Sequence, residues 1–153
     1  MKKLVVKTAA LTLSIVILFA LFVFGAVSVF APKSMATFFD RLDCYSISVY
    51  YYESQYNKTE DYEDLNDLCI AVDEVEDSER AYKYLDILCG HVKFPDYDGG
   101  ENTGMSYQEY FYAKYASSAL IIYGENRAIE IAEKYVKTFG ETKYNPFVIL
   151  GLK

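Results

Sequence analysis

The chain has 153 residues, 52% of them hydrophobic, with 16 Tyr, no Trp and a formal charge of −7. All 22 acidic residues lie from Asp40 onward, against 12 of the 15 basic ones beyond residue 32 (15 − 3 = 12), so the chain after its first 32 residues is near −10 (12 − 22). That balance argues against a nucleic-acid binder, which needs clustered Lys and Arg to neutralise phosphates, and against an electrostatic grip on anionic lipid.

From Thr8 to Pro32 no side chain is charged, and most are Ala, Leu, Val, Ile or Phe. A helix crossing a hydrocarbon core of about 30 Å needs about 20 apolar residues, and this run is long enough. Lys2, Lys3 and Lys7 precede it; Lys33, Asp40 and Arg41 follow. The positive-inside bias then puts the N-terminus in the cytoplasm and the rest outside. A cleaved signal peptide is the alternative, with passable sites at Ala26-Val27-Ser28 and Val29-Phe30-Ala31, but its apolar region is only about 7–15 residues long. A buried core helix is a third reading, weakened because no polar face interrupts the run. The expected organisation is a cytoplasmic tail and transmembrane signal-anchor over 1–32 and an extracytoplasmic α-helical domain over 33–153, single-pass in the plasma membrane. About 120 residues suffice for one modest core.

Apolar residues recur at spacings of three and four through the second part, which predicts five helices and a short sixth. The first runs from about Ser34 to Tyr56, with Phe38, Leu42, Tyr45, Val49 and Tyr52 on one stripe. Thr59 is a plausible N-cap for the second, Glu60 to about Glu76, whose early acids suit the positive end of the helix dipole. Ten acids and no basic residue lie between Glu60 and Glu79, a solvated outer face or a place for cations or a basic partner. The third helix begins at Asp77 or Ser78 and ends near Val92. A loop of about twelve residues, Phe94–Met105, precedes the fourth, which opens with the capping-box pattern Ser106-Tyr107-Gln108-Glu109. The fourth is apolar on most sides, so it is expected to sit centrally until Gly124 ends it. Glu125–Phe139 is the fifth, stopped by Gly140, and Asn145-Pro146 signals the last, Phe147–Leu152. No strand pattern competes.

In Tyr52–Leu65, Tyr56 precedes the turn, Asp61-Tyr62 closes it, and Leu65 follows in the next helix, with Glu60 at the turn. In the second stretch Ala116, Ala128 and Ala132 supply small residues at matching places. Both resemble the tetratricopeptide repeat, in which Gly replaces Glu60 and a small residue replaces Leu65. The two hairpins cover 46–77 and 109–140 and start 63 residues apart rather than at a regular 34-residue period. The resemblance implies stacked helical hairpins and, by analogy, a protein-binding role, but no activity.

Cys44, Cys69 and Cys89 form no Cys-x-x-Cys pair, and His91 is the single His, which speaks against a structural zinc site. Each cysteine falls among apolar helix positions, so all three read as small buried hydrophobes, with one disulfide as the alternative outside the cell. Asp96–Asn102 fails the EF-hand spacing and reads as a solvated loop, an irregular calcium loop being the alternative. His91 reads as a helix C-terminal residue near the dipole. No nucleophile elbow, phosphate loop or His-Glu-x-x-His motif occurs, so neither a catalytic constellation nor a cofactor is expected. The abundant tyrosines suit both helix packing and a partner groove, whose candidate lining is Tyr50, Tyr51, Tyr107, Tyr110 and Tyr112. The leading expectation is a membrane-anchored binding or scaffolding module of the cell envelope, its partner a basic or amphipathic protein segment. The alternative is a secreted helical domain with a small-ligand or enzymatic pocket.

Overall fold

A computed structural model describes residues 2–98, 101–102 and 104–152. The uncharged run forms a single helix, α1 (Lys2–Phe30). Its stretch Leu11–Phe30 has a mean hydropathy of 2.8 and no buried residue, and it is long and apolar enough to cross a membrane. The hydroxyls of Thr12 and Ser28 donate to carbonyls one turn back, which keeps α1's own polar atoms satisfied. Pro32 ends the helix by forcing Ala31 out of the helical region (φ −136°, ψ 61°), and then serves as the first residue of α2 (Pro32–Asp40). Phe39 of α2 meets Phe24 of α1 edge-on at 6.4 Å. The eighth residue of α2 thus lies beside a point six residues below the end of α1, so α2 runs back along α1.

The single helix expected from Ser34 to Tyr56 is broken in two. Asp43 adopts the left-handed conformation (φ 54°). Its N–H donates to the Asp40 carbonyl (3.0 Å), and the Cys44 N–H donates to the Phe39 carbonyl (2.9 Å). Those two bonds make a Schellman end to α2, and Asp tolerates the left-handed region better than most residues do. The chain restarts as α3 (Tyr45–Thr59). Phe38 and Leu42, expected on a core stripe, are exposed as a result, while Val49 is buried.

The remaining helices are α4 (Tyr62–Glu74), α5 (Ser78–Gly90), α6 (Tyr107–Tyr123), α7 (Glu125–Phe139) and α8 (Pro146–Leu150). Among the described residues there are thus eight helices, plus one two-residue antiparallel ladder, β1 (Glu101–Asn102) with β2 (Met105–Ser106), which the periodicity did not foretell. Asp61, rather than Thr59, caps α4 by accepting from the Glu63 N–H, and Asp77 caps α5. The capping box of α6 forms as expected between Ser106 and Glu109, and Asn145 caps α8. The third expected helix stops at Gly90, leaving Val92 exposed.

Each helix from α2 to α7 packs on its neighbours in sequence, and α8 returns to α6 and α7. The core joins Val49, Leu65, Leu68 and Val72 to Leu85 and Leu88 and to the α6 residues Phe111, Tyr112 and Tyr115. Phe94, expected in a loop, is completely buried against Tyr107, Tyr112 and Phe139. Ala116, Ala128 and Ala132 are also completely buried, where small side chains let α6 and α7 approach.

Candidate functional site

The five tyrosines expected to line a groove do not share a surface. Tyr107 and Tyr112 belong to the core and are corrected out of any partner-facing set. The Tyr107 hydroxyl donates to the Asn66 side-chain oxygen (2.9 Å) and lies 3.0 Å from the Tyr62 hydroxyl. Burial raises both phenols, Tyr62 to about 12. Tyr110 is half-buried and donates to Asp73 (2.8 Å), with the Lys114 ammonium over its ring. Tyr51 stacks on Phe39 (5.7 Å, interplanar angle 5°), with its hydroxyl 3.0 Å from Ser28 of α1. Only Tyr50, 63% exposed, is a surface ring. Phenols bury area while their hydroxyls reach Asp, Glu, Asn or Thr at the edge of the core, and for this reason most of the tyrosines went to packing.

A different set of side chains builds a groove where α2, α3 and α4 meet. Asp40, Tyr45, Tyr52, Asp67, Ile70, Ala71 and Glu74 line a hollow of about 280 Å³. It continues past Tyr45 and Glu74 into a second hollow of about 390 Å³, bounded by Asp43, Cys44, Ser46, Ile47 and Val75. Tyr45 and Tyr52 stand two turns apart on α3, as do Asp67 and Glu74 on α4, so each pair falls on one face. Tyr52 donates to Asp40 (2.7 Å) and Tyr45 to Asp43 (2.9 Å). Burial, together with the hydrogen bond to Asp40, pushes the Tyr52 phenol up to about 12, and the hydrogen bond to Asp43 raises Tyr45. Asp40 closes α2 and Glu74 closes α4. A carboxylate at a helix C-terminus is opposed by the macrodipole, so both positions are unfavourable for stability and leave the groove strongly negative. Glu74 makes no ion pair among the described residues. The sequence signal was present in the seven-residue spacing of Tyr45 and Tyr52, but the same spacing had assigned them to a core stripe.

One end of the groove is fixed by a charged cluster. Lys33 of α2 pairs with Asp64 and Asp67 of α4, each at 2.8 Å. Asp64, expected on the solvated face of α4, is instead buried. Burial works to raise its carboxyl, but the Lys33 ammonium, the Gln55 amide and the Thr59 hydroxyl outweigh it and hold it below the usual range. Lys33 is correspondingly raised by its hydrogen bonds to Asp64 and Asp67. On the far side of α4, Asp73 is neutralised by Lys114 (2.7 Å), so that side is less negative.

Cys69 and Cys89 are free thiols in the core, both raised by desolvation, and Cys44 is a half-buried free thiol beside the groove. His91 caps α5 and packs on Tyr62, its Nδ1 accepting from the Lys93 N–H (3.1 Å). Gly99 and Gly100 of the candidate calcium loop lie outside the described residues, as do the side chains of Glu101, Asn102, Lys2, Lys3 and Lys7. Among the described residues no group of His, Cys, Asp and Glu is placed to hold a metal ion. Comparison of the chain with protein-family models, with curated proteins and with solved structures gives no match.

Proposed function

We propose that this protein is a membrane-anchored binding or scaffolding module of the cell envelope. In this reading α1 crosses the plasma membrane once, with its N-terminus cytoplasmic. The helical domain stands outside and offers the α2–α3–α4 groove to a basic or amphipathic segment of another protein. The observation that carries the reading is the contrast within one chain: Leu11–Phe30 is strongly apolar with no buried residue, while the helices after it form a packed core in which, among the described residues, no buried side-chain polar atom lacks a partner. An apolar helix of that length left in water would be a large exposed patch, and a bilayer is the solvent that suits it. Packing of each helix on its sequence neighbours, with Ala116, Ala128 and Ala132 buried, supports the tetratricopeptide-like reading of the hairpins. The groove supports the partner class: Asp40, Asp43 and Glu74 supply negative charge around Tyr45, Tyr52 and Ile70, Asp67 being paired with Lys33.

The test uses the full chain in phosphatidylcholine nanodiscs and a Lys/Ala helical peptide as the probe, with its Glu/Ala counterpart as control. The cationic peptide should bind and the anionic one should not. Binding should weaken as salt rises, because exposed charges are screened beyond about 8–10 Å at physiological ionic strength. The double variant Asp43→Asn, Glu74→Gln should bind about fivefold more weakly or worse, as expected from two exposed pairs of up to about 1 kcal/mol each. Equal binding of both peptides, or an unchanged affinity for the double variant, would remove the groove from the proposal. Extraction of the native protein from membranes by alkaline carbonate would remove the anchor.

A further inference from the structure

We propose that the outer lipid surface meets this protein not at the end of the apolar helix but about two to three turns below it, at the level of Phe19–Phe24, and that the α2–α3 corner rests in that surface as a second membrane contact. The proposal deepens the reading of α1 as a membrane span and rests on it.

The geometry of the α1–α2 hairpin requires a choice of level. A cleft of about 460 Å³ separates the two helices, lined by Phe19, Ala20, Val23, Phe24 and Val27 of α1 and by Met35 and Phe38 of α2, almost without polar surface. Because α2 runs back along α1, Phe38 faces the same cleft as Phe19–Phe24, and its neighbour Phe39 meets Phe24, about 9 Å below Phe30 at 1.5 Å per residue. The charged corner Asp40, Arg41 and Asp43 follows at once. If lipid tails reached Phe30, all three charges would be submerged. Lowering the lipid surface to Phe19–Phe24 keeps them at the headgroups instead. The uncharged span below, from Thr8 to Phe22, is then about 22 Å long, short of a core of about 30 Å. A shortfall of that size is met by local thinning of the bilayer. Submerging three charges is the more expensive alternative.

The side chains at each level agree with this placement. At the corner Phe38 is 50% exposed and Leu42 53% exposed, and Arg41 between them is a cation suited to lipid phosphate. Asp40 and Asp43 open onto the groove, where one oxygen of each accepts from a phenol, that of Tyr52 and of Tyr45 respectively. Near the top of α1 the contacts are polar: Ser28 meets the Tyr51 hydroxyl, and the Lys58 ammonium donates to the Val29 carbonyl. An ammonium group belongs in water rather than among acyl chains. The cleft itself, continuous with the uncovered face of α1, opens at the lipid surface, where acyl chains fill it.

Absence of native Trp makes the test clean. Single variants Phe38→Trp, Leu42→Trp and Phe30→Trp of the full chain are placed in phosphatidylcholine vesicles brominated near the headgroup end of the acyl chains. Leu42→Trp, on an exposed corner, reports even if Phe38→Trp disturbs the hairpin. The two corner variants should be strongly quenched by the brominated lipid and lose most of their quenching by aqueous acrylamide, whereas Phe30→Trp should show the reverse. Stronger lipid quenching at residue 30 than at 38 and 42 would overturn the proposal, as would acrylamide access at all three. Shielding of residue 38 from both quenchers would overturn it in favour of a second protein helix in the cleft. Flotation separates the two levels of the argument: protein that does not float with vesicles refutes the span itself, while protein that floats with an aqueous corner refutes only the second contact.

Discussion

α1 and α6 are the two helices that carry apolar residues on most sides, and the fold treats them in opposite ways. An all-round apolar helix belongs either in the centre of a domain or in a membrane. α6 is surrounded by α5, α7 and α8 and buries Phe111, Tyr112, Tyr115, Ala116 and Ala119. α1 touches α2 and, through Ser28 and Val29 near its end, α3, and leaves Leu18, Phe19, Leu21 and Phe22 uncovered. The side chains explain the difference. α6 alternates small residues, which let helices approach, with tyrosines whose hydroxyls reach acids on neighbouring helices, as Tyr115 does with Asp86 and Tyr110 with Asp73. α1 is mainly branched aliphatic residues and Phe; the Thr12 and Ser28 hydroxyls turn back on its own backbone, and Ser28, near its end, also meets the Tyr51 hydroxyl of α3. Composition within the apolar class, not hydrophobicity alone, separates the helix that organises a core from the helix that the fold leaves uncovered.

The sharpest way to break this comparison is to damage one helix and read the other. Tyr112→Ala removes a completely buried ring from the centre of α6 and should destabilise the domain by about 3–5 kcal/mol, enough to unfold it near physiological temperature, while membrane association is unchanged. Leu18→Arg in α1 should do the converse. A cation at mid-helix costs insertion about 3 kcal/mol, so membrane association should fall while the thermal transition of the domain stays in place. Thermal melting and flotation of both variants check the pair. If Leu18→Arg unfolds the domain, α1 is part of its core and the distinction fails.

Much of this architecture was legible in the residues. Ser106-Tyr107-Gln108-Glu109, Gly124, Gly140 and Asn145-Pro146 mark their helix ends by hydrogen-bonding and φ requirements that are local, and the structure keeps all of them. The break between α2 and α3 was not legible, because Asp43 occupies the left-handed position where Gly would have announced it. The groove was missed for a related reason. Spacing shows that Tyr45 and Tyr52 share a face of α3, but only the break at Asp43 decides whether that face meets a core or a hollow. Tyr107 and Tyr112 were misplaced because a Tyr on a surface and a Tyr in a core with a hydroxyl partner look alike in sequence. The partner is forty-one residues away in the case of Tyr107 and Asn66.

A smaller effect tests how the hairpin next to α1 is fastened. Lys33 ties α2 to α4 through Asp64 and Asp67, and Asp64 accepts from Gln55 and Thr59 as well. Lys33→Ala should cost about 1–3 kcal/mol, since it leaves a buried carboxylate short of a charged donor. The pH dependence has a definite sign. The Asp64 carboxyl is depressed in the folded state, so its contribution is present above the unfolded value near 3.8 and is lost as pH falls through the lower folded value. Acid unfolding of the native domain should therefore begin below about pH 4, and the loss of stability over that range should be shallower in Lys33→Ala. Chemical denaturation at a series of pH values measures both. A Lys33→Ala curve parallel to the native one would detach the cluster from the fold's stability.

The smallest expected effect compares the two hairpins that resemble each other in sequence. α6 and α7 are joined at Gly124 (φ 86°), α3 and α4 at Glu60 (φ 49°). Glu60 therefore holds a left-handed conformation in which its Cβ crowds the backbone, at a strain of about 1–2 kcal/mol. Its N–H still closes α3 by donating to the Tyr56 carbonyl (2.8 Å), so the turn is needed and only the residue type is unfavourable. Glu60→Gly should relieve that strain and remove a carboxylate from the negative end of α3. Part of the gain is returned because Gly makes the unfolded chain freer. The net is a stabilisation of about 0.5–1 kcal/mol, seen as a higher melting temperature with unchanged denaturant sensitivity. Gly124→Ala, the reciprocal change in the second hairpin, should destabilise by a similar or larger amount even though nothing lies within 4 Å of the added Cβ, because backbone conformation rather than space limits that site. If Glu60→Gly is neutral or destabilising, the Glu60 side chain contributes something at the turn that its backbone geometry does not reveal, and the likeness between the two hairpins ends at their helices.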